Sequence, residues 1–498
     1  MTQIRGGQRG QRIPSLASNL IAAIGSYDFR GRFPHPIGIA EAKLLGELLG
    51  RYMPDRTFTA RDSRRESRVF LRTLSRGVRR SGTLVNPIGI APTAVVGFAA
   101  RTWHIPGLVA TPSHNPLGFV GLKAFTCSGK LWSSEWTRVA RDLACPLLAP
   151  TSSVRSDGPR RNYLQIRPAD VRSAYFSHLS KLGRLRIRVV VDARGGSASK
   201  WASSAYRKLG AEVFPVNDVP SPTFCGCTPD PTPGSLSELS SRVVSHSADL
   251  GVTFDGDADR VLIVNHEGRY LWPEVVALGL LASNHRPRSP IVATADASPR
   301  LSQWASVTWS PRGARNVITG MRKVGARIGF ETSDHYNLAS EGYLSDGIFV
   351  SLIISKLLAS KGAILQEASN FFSKMQRVHL VFDLGHQNCR ERILRQLAIG
   401  LGGKWKLNCG GLESTNTHYG RLFLRVSQTE PLVRLTLESW GRSPIADRAS
   451  QLKGHVLKIM SSFESTPEIP QIVTSTSKAA WSRRPVTIKG ESQRHGQA

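Results

Sequence analysis

Apolar and polar positions follow two different periods along this chain. Short apolar runs bounded by Gly, Pro or Asp are typical of buried strands, whereas apolar residues three and four positions apart are typical of helices. The first pattern predicts strands at residues 19–24, 83–90, 108–110, 187–192, 212–216, 250–254, 261–264 and 291–294. The second predicts helices at residues 39–52, 92–100, 236–245, 272–281, 314–324 and 346–358. Strands and helices that alternate in this way indicate an α/β protein.

Four stretches differ in character from these elements. The first 18 residues are basic and fit either a ragged start or a targeting peptide. Residues 152–162 are polar, contain Pro and Gly, and predict a linker. Residues 374–382 begin a last segment of changed character, with strands predicted at 420–425 and 432–439. The residues after Pro467 include few that a core would bury, so this tail is predicted to be disordered.

Composition narrows the classes of partner. The 498 residues suffice for several domains, and 66 Lys plus Arg against 36 Asp plus Glu give a net charge of +30. Such a charge favours phosphorylated small molecules or nucleic acid. Ten arginines lie within residues 51–80, where a solvated helix face is favoured over a nucleic-acid patch. The six cysteines lack metal-type spacing, which indicates free thiols, and no apolar run is long enough to predict a membrane helix.

Three carboxylates recur at every second position in residues 255–260, Asp-Gly-Asp-Ala-Asp-Arg, between two predicted strands. Hard divalent cations such as Mg²⁺ take carboxylate oxygens as ligands. A solvated acidic turn is the alternative for this pattern alone. An EF-hand loop is excluded, because Arg260 and His266 stand where it needs Gly and Glu. An arginine directly after the carboxylates indicates that the site also handles an anion, most simply a phosphate.

Three further loops carry candidate chemistry. Ser113 lies in Thr-Pro-Ser-His-Asn-Pro, where two prolines restrict the loop as a nucleophile or phosphate carrier requires, although ordinary turns also contain Ser–His pairs. Lys123 follows nearby in sequence. Residues 329–335 offer an acid, hydroxyls and an imidazole that either read sugar hydroxyls or form a turn. Residues 425–431 place Arg, Ser and Thr at alternating positions, where they would converge on one anion.

Taken in order, these motifs resemble those of the α-D-phosphohexomutase family, specifically its phosphomannomutase/phosphoglucomutase branch. Residues 111–116 match the phosphoserine loop and residues 255–260 match the metal loop. Residues 27–31, Tyr-Asp-Phe-Arg-Gly, resemble the Y-D-I-R-G start of that branch. The sugar-reading loop, G-E-x-S-G-H, and the phosphate loop, R-x-S-G-T-E-P, are matched by Glu331, Ser333 and His335 and by Arg425, Ser427, Thr429, Glu430 and Pro431.

The resemblance implies an α/β fold with three similar mixed-sheet domains and a smaller C-terminal α+β domain around a central cleft. The divisions expected are a basic extension (1–18), domain I with the phosphoserine loop (19–157), domain II with the metal loop (158–262), domain III with the sugar-reading loop (263–373), domain IV with the phosphate loop (374–466) and the disordered tail (467–498).

It also implies a hexose phosphate mutase, an isomerase that interconverts hexose 1- and 6-phosphates through a phosphoserine and a bisphosphorylated sugar. Ser113 would carry the phosphoryl group and join Asp255, Asp257 and Asp259 in holding Mg²⁺. Lys123, Arg30, His114 and Arg260 would assist as acid/base or electrostatic groups. The substrate would contact Tyr27, Glu331, Ser333, His335, Arg425, Ser427, Thr429 and Arg434. The alternative is a catalytically impaired paralogue that binds sugar phosphates or polyanions.

The resemblance also implies a hexose 1,6-bisphosphate as activator and hexose phosphates as partners, with no membrane or nucleic acid bound. A monomer or dimer in the cytoplasm is expected.

Several residues depart from the family pattern. Phe330, Asp334 and Gln428 replace glycines that permit unusual backbone angles, and Asp334 would add negative charge near the ligand. Asp296 stands where Lys or another residue is expected. These changes predict an altered sugar preference or a reduced rate.

Overall fold

The strands form four sheets. A computed structural model describes residues 9–145, 166–283, 289–360, 363–383, 390–416, 419–426, 432–441, 444–461 and 472–475. Within them, the first three sheets mix parallel and antiparallel pairs, and the pairs of the fourth are antiparallel. The predicted α/β class, three mixed-sheet units followed by an antiparallel α+β unit, is confirmed. The predicted linker at 152–162 lies outside the described residues.

The first sheet places two loops side by side. Its elements are α1 (Arg9–Ala23), β1 (Phe29–Arg32), α2 (Ile39–Tyr52), β2 (Arg56–Arg61), α3 (Arg65–Arg80), β3 (Leu84–Ile90), α4 (Thr93–Trp103), β4 (Gly107–Ala110), β5 (Phe119–Phe125) and α5 (Ser134–Ala144). The strand order is β1-β5-β4-β2-β3, with β2 parallel to both β3 and β4. Because β2 and β4 are parallel neighbours, the loops after them, which contain Asp62 and Ser113, meet at one edge.

The prediction of a strand at residues 19–24 is wrong. Most of these residues belong to the C-terminal end of α1, and the first strand is β1. The stretch Leu-Ala-Ser-Asn-Leu-Ile-Ala-Ala is rich in alanine and leucine, which favour helices, and it buries Leu20 at helical spacing from Leu16. The alanine content of this stretch therefore indicated its helical structure better than its short apolar run indicated a strand.

The second sheet carries the carboxylate loop. Its elements are α6 (Pro168–Ser180), β6 (Arg188–Asp192), α7 (Ala202–Lys208), β7 (Glu212–Val216), α8 (Ser237–Ser245), β8 (Leu250–Phe254) and β9 (Val261–Asn265), with the strand order β7-β6-β8-β9. β8 and β9 are antiparallel, and Phe254 pairs with Val261. Every residue of both strands is buried, so the loop that joins them is held on a rigid hairpin.

The third sheet carries the hairpin with the predicted sugar-reading residues. Its elements are α9 (Pro273–Ala282), β10 (Ile291–Thr294), β11 (Val307–Ser310), α10 (Ala314–Val324), β12 (Ile328–Glu331), β13 (His335–Leu338), β14 (Leu344–Ser345), α11 (Gly347–Ala359) and α12 (Ala363–Phe372), with the strand order β11-β10-β12-β13-β14. β12 and β13 are antiparallel, and Glu331 pairs with His335.

The fourth sheet is formed by the C-terminal part of the chain. Its elements are β15 (Met375–Asp383), α13 (Arg390–Leu401), β16 (Trp405–Asn408), β17 (Gly411–Asn416), β18 (Gly420–Val426), β19 (Leu432–Trp440), α14 (Ile445–Ser461) and β20 (Ile472–Ser475), with the strand order β16-β17-β18-β19-β15-β20. β20 pairs with β15, so the prediction of a disordered tail is wrong for these four residues. The residues after Ser475 lie outside the described part of the chain.

One hydrophobic core spans the first three sheets. It runs from Phe58 on β2 through Val252 on β8 to Phe330 on β12, all fully buried. The fourth sheet packs its own core, which includes Leu422 and Leu435, against α13 and α14. Burying a large apolar side chain stabilises a fold by about 1.5–3 kcal/mol, so the shared core holds the first three sheets as one framework.

The arginine run of residues 51–80 lies mostly on α3. Arg65, Arg68, Arg72, Arg76 and Arg79 are exposed along one face of this helix. Arg64 differs from them, because it is completely buried.

In the described chain no single helix is long and apolar enough to cross a membrane. The bent pair of α11 and α12 is long and apolar enough only when the two helices are taken together. Both helices bury apolar residues in the core.

Candidate active site

The carboxylate loop gathers three buried aspartates. Asp255, Asp257 and Asp259 each offer one oxygen, and these oxygens lie within 4.8 Å of one another. Asp257 Oδ1 has no hydrogen-bond partner among the described residues, although it is buried. A buried carboxylate oxygen without a partner is costly, and a divalent cation with oxygen ligands would satisfy it. The aspartates therefore fit a metal ion.

Ser113 lies directly against this loop. Its Oγ donates a hydrogen bond to Asp255 Oδ2 at 2.8 Å, and its side chain is buried. A Cβ at Gly256 would lie only 2.6 Å from the carbonyl oxygen of Ser113, so glycine is needed there for the two loops to approach. Ser113 has φ of 54°, a backbone conformation that serine rarely adopts and that surrounding contacts must hold. The predicted carrier and metal loop are thus adjacent.

Arg64 holds the serine loop and was not predicted from the sequence. Its guanidinium donates to the carbonyl oxygens of Ser113 at 2.8 Å, Asn115 at 2.6 Å and Pro116 at 2.6 Å. It also pairs with Asp62 at 3.1 Å, and Asp62 in turn accepts from the Thr111 hydroxyl. The feature of the sequence that could have identified Arg64 is its position shortly after β2, at the sheet edge where the serine loop also emerges.

Replacing Arg64 with lysine is expected to lower the free energy of unfolding by about 2–3 kcal/mol. A lysine keeps the charge but cannot satisfy three carbonyl groups and Asp62 together, which leaves buried acceptors without donors. Chemical denaturation would measure the change. The matched control is Arg65→Lys on the exposed face of α3, which should change stability by less than about 0.5 kcal/mol. Equal stabilities of the two variants would contradict the role given to Arg64.

Lys123 pairs with two members of the triad. Its Nζ lies 2.6 Å from Asp257 Oδ2 and 2.6 Å from Asp259 Oδ2. Burial alone would lower the pKa of Lys123, but Asp257 and Asp259 outweigh it and raise the pKa above its ordinary value. Lys123 is therefore a fixed positive charge beside the carboxylates.

Arg30 reaches the serine loop from β1. Its Nη1 donates to Asn115 Oδ1 at 2.7 Å, and Asp28 orients it through a 2.7 Å ion pair. Burial and then Asp28 raise the pKa of the neighbouring Tyr27 to about 12. Both predicted residues thus lie at the site.

His114 and Arg260 form a second pair beside Ser113. Arg260 Nη2 lies 2.6 Å from His114 Nδ1, and Asp230 holds the other end of the guanidinium at 2.8 Å. Burial, followed by Arg260 and Arg30, lowers the pKa of His114 well below its usual range. His114 is therefore neutral and accepts a hydrogen bond from Arg260, which extends positive charge along the loop.

The hairpin of β12 and β13 is tied to the metal loop. His335 Nε2 lies 3.1 Å from Asp259 Oδ1, and its Nδ1 lies 3.1 Å from Ser333 Oγ. Glu331 accepts from the backbone N–H of Gly313 at 3.0 Å. The structure therefore brings the predicted sugar-reading residues together with the triad.

Cations gather where the phosphate loop begins. Arg425 on β18 lies opposite Arg434 in the antiparallel pairing of β18 with β19. Burial and then Arg312 lower the pKa of Arg425 to about 9, with Arg434 adding to the repulsion. Asp296, which stands where Lys or another residue was expected, pairs with Arg312 at 3.0 Å, so its charge is offset. An anion bound here would relieve the repulsion. Ser427 and Thr429, with Gln428, Glu430 and Pro431, lie outside the described residues.

The four-sheet fold and a buried serine against a carboxylate triad define a phosphohexomutase. Three family models match in order, each described as phosphoglucomutase/phosphomannomutase, α/β/α domain: domain I over residues 22–142, domain II over 171–268 and domain III over 276–375. The chain therefore belongs to the α-D-phosphohexomutase superfamily, whose members are isomerases.

Individual relatives agree with this assignment. Phosphoglucosamine mutase 2 of Shewanella frigidimarina is 28% identical over 458 residues, with 88% of this chain and 97% of that protein covered. A probable phosphoglucosamine mutase of Methanothermobacter thermautotrophicus is 28% identical over 433 residues, covering 83% and 93%.

Solved structures share the fold. A phosphoglucomutase/phosphomannomutase family protein from Burkholderia thailandensis superimposes with a TM-score of 0.73 at 21% identity, covering 90% of this chain and 99% of that one. N-acetylphosphoglucosamine mutase of Aspergillus fumigatus, solved in complex with GlcNAc-6P and magnesium, gives a TM-score of 0.54 at 14% identity, covering 90% and 99%.

Proposed function

We propose that this protein interconverts the 1- and 6-phosphates of a hexose through a phosphorylated Ser113 and a bisphosphorylated sugar. The observation that carries the proposal is the position of Ser113 Oγ, 2.8 Å from Asp255 in a buried triad. Phosphoryl transfer depends mainly on positioning and charge stabilisation, and this site supplies both. The phosphoryl group passes to one sugar hydroxyl, the sugar reorients, and its other phosphoryl group returns to Ser113.

The residues around Ser113 have different roles in the proposed reaction. Arg64 fixes the serine loop, and Lys123 and Arg260 place positive charge beside the transferring group. Asp255, Asp257 and Asp259 would hold Mg²⁺, which supplies Lewis-acid stabilisation of the phosphoryl oxygens when bound. Glu331 and Ser333 would read sugar hydroxyls, and His335 links them to the triad.

The distal phosphate would bind at the cationic cluster of the fourth sheet. Arg425 and Arg434 would contact it together with Ser427 and Thr429. Binding energy gathered at this remote group helps to position the reacting end of the sugar. A hexose 1,6-bisphosphate would serve as the activator, because it phosphorylates Ser113.

The sugar proposed first is mannose or glucose, because residues 27–31 resemble the start of that branch. Glucosamine is the second candidate, since the two relatives described above are named phosphoglucosamine mutases. The test is an assay of the purified protein with the 1-phosphates of mannose, glucose and glucosamine, with Mg²⁺ and the matching bisphosphate. Turnover of one sugar would identify the substrate, and no turnover of any would contradict the proposed function. A cytoplasmic location and a monomeric or dimeric state remain proposals.

The arginines of α3 are expected to be dispensable for catalysis. Replacing Arg65, Arg68, Arg72, Arg76 and Arg79 together with glutamine should leave kcat within about twofold, because surface substitutions away from a site have small effects. Wild-type binding to DNA or RNA should be weak and should vanish by physiological salt, since such contacts depend on counterion release. Filter binding across a salt series would measure it. Sequence-selective binding that survives physiological salt would instead favour a polyanion-binding paralogue.

A further inference from the structure

Two family glycines are replaced in the hairpin that carries Glu331, Ser333 and His335. One replacement, Asp334, adopts φ of 65°, in the left-handed region that glycine enters freely. Aspartate reaches this conformation more easily than most residues, because its short polar side chain can hydrogen-bond nearby. The other replacement, Phe330, is fully buried at the end of β12. Asp334 therefore needs contacts that hold this backbone conformation.

The carboxylate of Asp334 finds those contacts in two tyrosine hydroxyls. Its Oδ1 accepts hydrogen bonds from the hydroxyls of Tyr270 at 2.8 Å and Tyr336 at 3.1 Å. Its Oδ2 lies 3.0 Å from the same Tyr270 hydroxyl. Burial raises the pKa of Asp334 to about 7, although the two tyrosine hydrogen bonds oppose the shift. The carboxylate whose charge was expected near the ligand is therefore bound by two tyrosine hydroxyls.

Phe330 belongs to the same cluster. Its ring stacks on Tyr336, with centroids 6.5 Å apart and planes 19° apart. Tyr270, from the turn after β9, packs edge-on against Trp272 at 5.3 Å. The two residues that replace the family glycines thus both contact Tyr336, which stacks on Phe330 and donates a hydrogen bond to Asp334. We call Phe330, Asp334, Tyr270 and Tyr336 the hairpin anchor.

The backbone of Asp334 extends the anchor to the metal loop. Its N–H donates to the carbonyl of Glu331 at 3.1 Å, which closes the turn of the hairpin. Its carbonyl accepts from Val261 N–H at 3.3 Å, at the start of the strand that follows the triad. Asp334 is thus fixed on both sides, between the two residues Ser333 and His335 that face the site.

We propose that Asp334 is a positioning residue for sugar binding, which acts by fixing the hairpin through Tyr270 and Tyr336. A glycine at this position would keep the two backbone hydrogen bonds but lose the side-chain contacts to Tyr270 and Tyr336, so the turn would be held less firmly. With aspartate, the anchor holds Ser333 and His335 in one arrangement before the sugar arrives. Such preorganisation strengthens binding by removing the entropy cost of ordering the loop. The proposal rests on the proposed function, because it assumes a hexose phosphate in this site.

Asp334→Gly, which restores the family residue, provides the first test. It should raise the Kd for hexose phosphate about tenfold, because the loop regains freedom, and it should lower Tm, because two buried hydroxyls lose their acceptor. Asp334→Asn is the matched control. Its Oδ1 can still accept from both tyrosines, and asparagine tolerates the left-handed conformation, so Kd should stay within about twofold.

A triple variant separates positioning from simple stability. Asp334→Gly combined with Tyr270→Phe and Tyr336→Phe removes the hydroxyls that lack an acceptor, so Tm should return toward the wild-type value. The loop remains free, so Kd should stay raised. Isothermal titration with the 6-phosphates of glucose, mannose and glucosamine, with Mg²⁺ present, gives Kd, and thermal melting of the full chain gives Tm.

The outcomes distinguish this inference from the function beneath it. Wild-type binding combined with an unchanged Kd in Asp334→Gly would overturn the inference alone. Recovery of Kd together with Tm in the triple variant would also overturn it, since the role would then be structural. If the wild type neither binds nor converts any of the three sugars, the proposed function fails and the inference fails with it.

Discussion

Replacing Ser113 with alanine is expected to lower kcat by at least about 10³-fold and to remove a phosphoryl group from the protein. The mechanism requires a hydroxyl that carries the phosphoryl group, and removing a covalent nucleophile typically leaves only the contribution of binding and charge stabilisation. No other hydroxyl is described within hydrogen-bond distance of Asp255. The loss should therefore appear in turnover far more than in stability.

Intact-mass spectrometry and peptide mapping of protein treated with hexose 1,6-bisphosphate would measure the phosphoryl group directly. Ser199→Ala is the matched control. Ser199 is buried like Ser113, but its hydroxyl has no hydrogen-bond partner among the described residues. This variant should keep both turnover and the phosphoryl group. A phosphoryl group that maps to another residue, or that persists in Ser113→Ala, would contradict the assigned carrier.

The sequence predicted best those parts of the site that are set by local pattern. The carboxylate loop follows directly from two apolar strands, so its place between β8 and β9 was readable from the chain alone. The approach of Ser113 to that loop was not readable from spacing, because it depends on the packing of one sheet against another. The resemblance to a family supplied that information, and Gly256 shows its physical cause.

Long-range contacts explain what was missed. Arg64 stands among ten arginines, and only the parallel pairing of β2 with β4 separates this buried residue from the exposed residues of α3. The tyrosine contacts of Asp334 were not predicted, because its partner Tyr270 lies 64 positions away along the chain. The helical form of residues 19–23 was missed because the apolar run was weighed above its alanine content.

Replacing Asp257 with asparagine is expected to lower kcat by about 10²–10³-fold, because the loss of metal assistance removes several kcal/mol of transition-state stabilisation. The geometry indicates why a neutral isostere should fail. Asp257 Oδ2 accepts hydrogen bonds from Thr93 and Lys123, while its Oδ1 has no partner among the described residues. An asparagine would keep its oxygen toward those donors, which turns its NH₂ group toward the metal position, and an amide NH₂ cannot ligate a cation.

The fold of Asp257→Asn should survive, because Lys123 retains its 2.6 Å contact with Asp259 and Thr93 retains an acceptor. Mg²⁺ should raise the Tm of the wild type, since a ligand that binds only the folded state stabilises it, and this increase should disappear in the variant. Asp218→Asn is the control. Its carboxylate accepts from Lys200 N–H and the Ser203 hydroxyl, so the Mg²⁺ response should be unchanged. Turnover of Asp257→Asn close to wild type at limiting Mg²⁺ would show that the triad does not hold the catalytic metal.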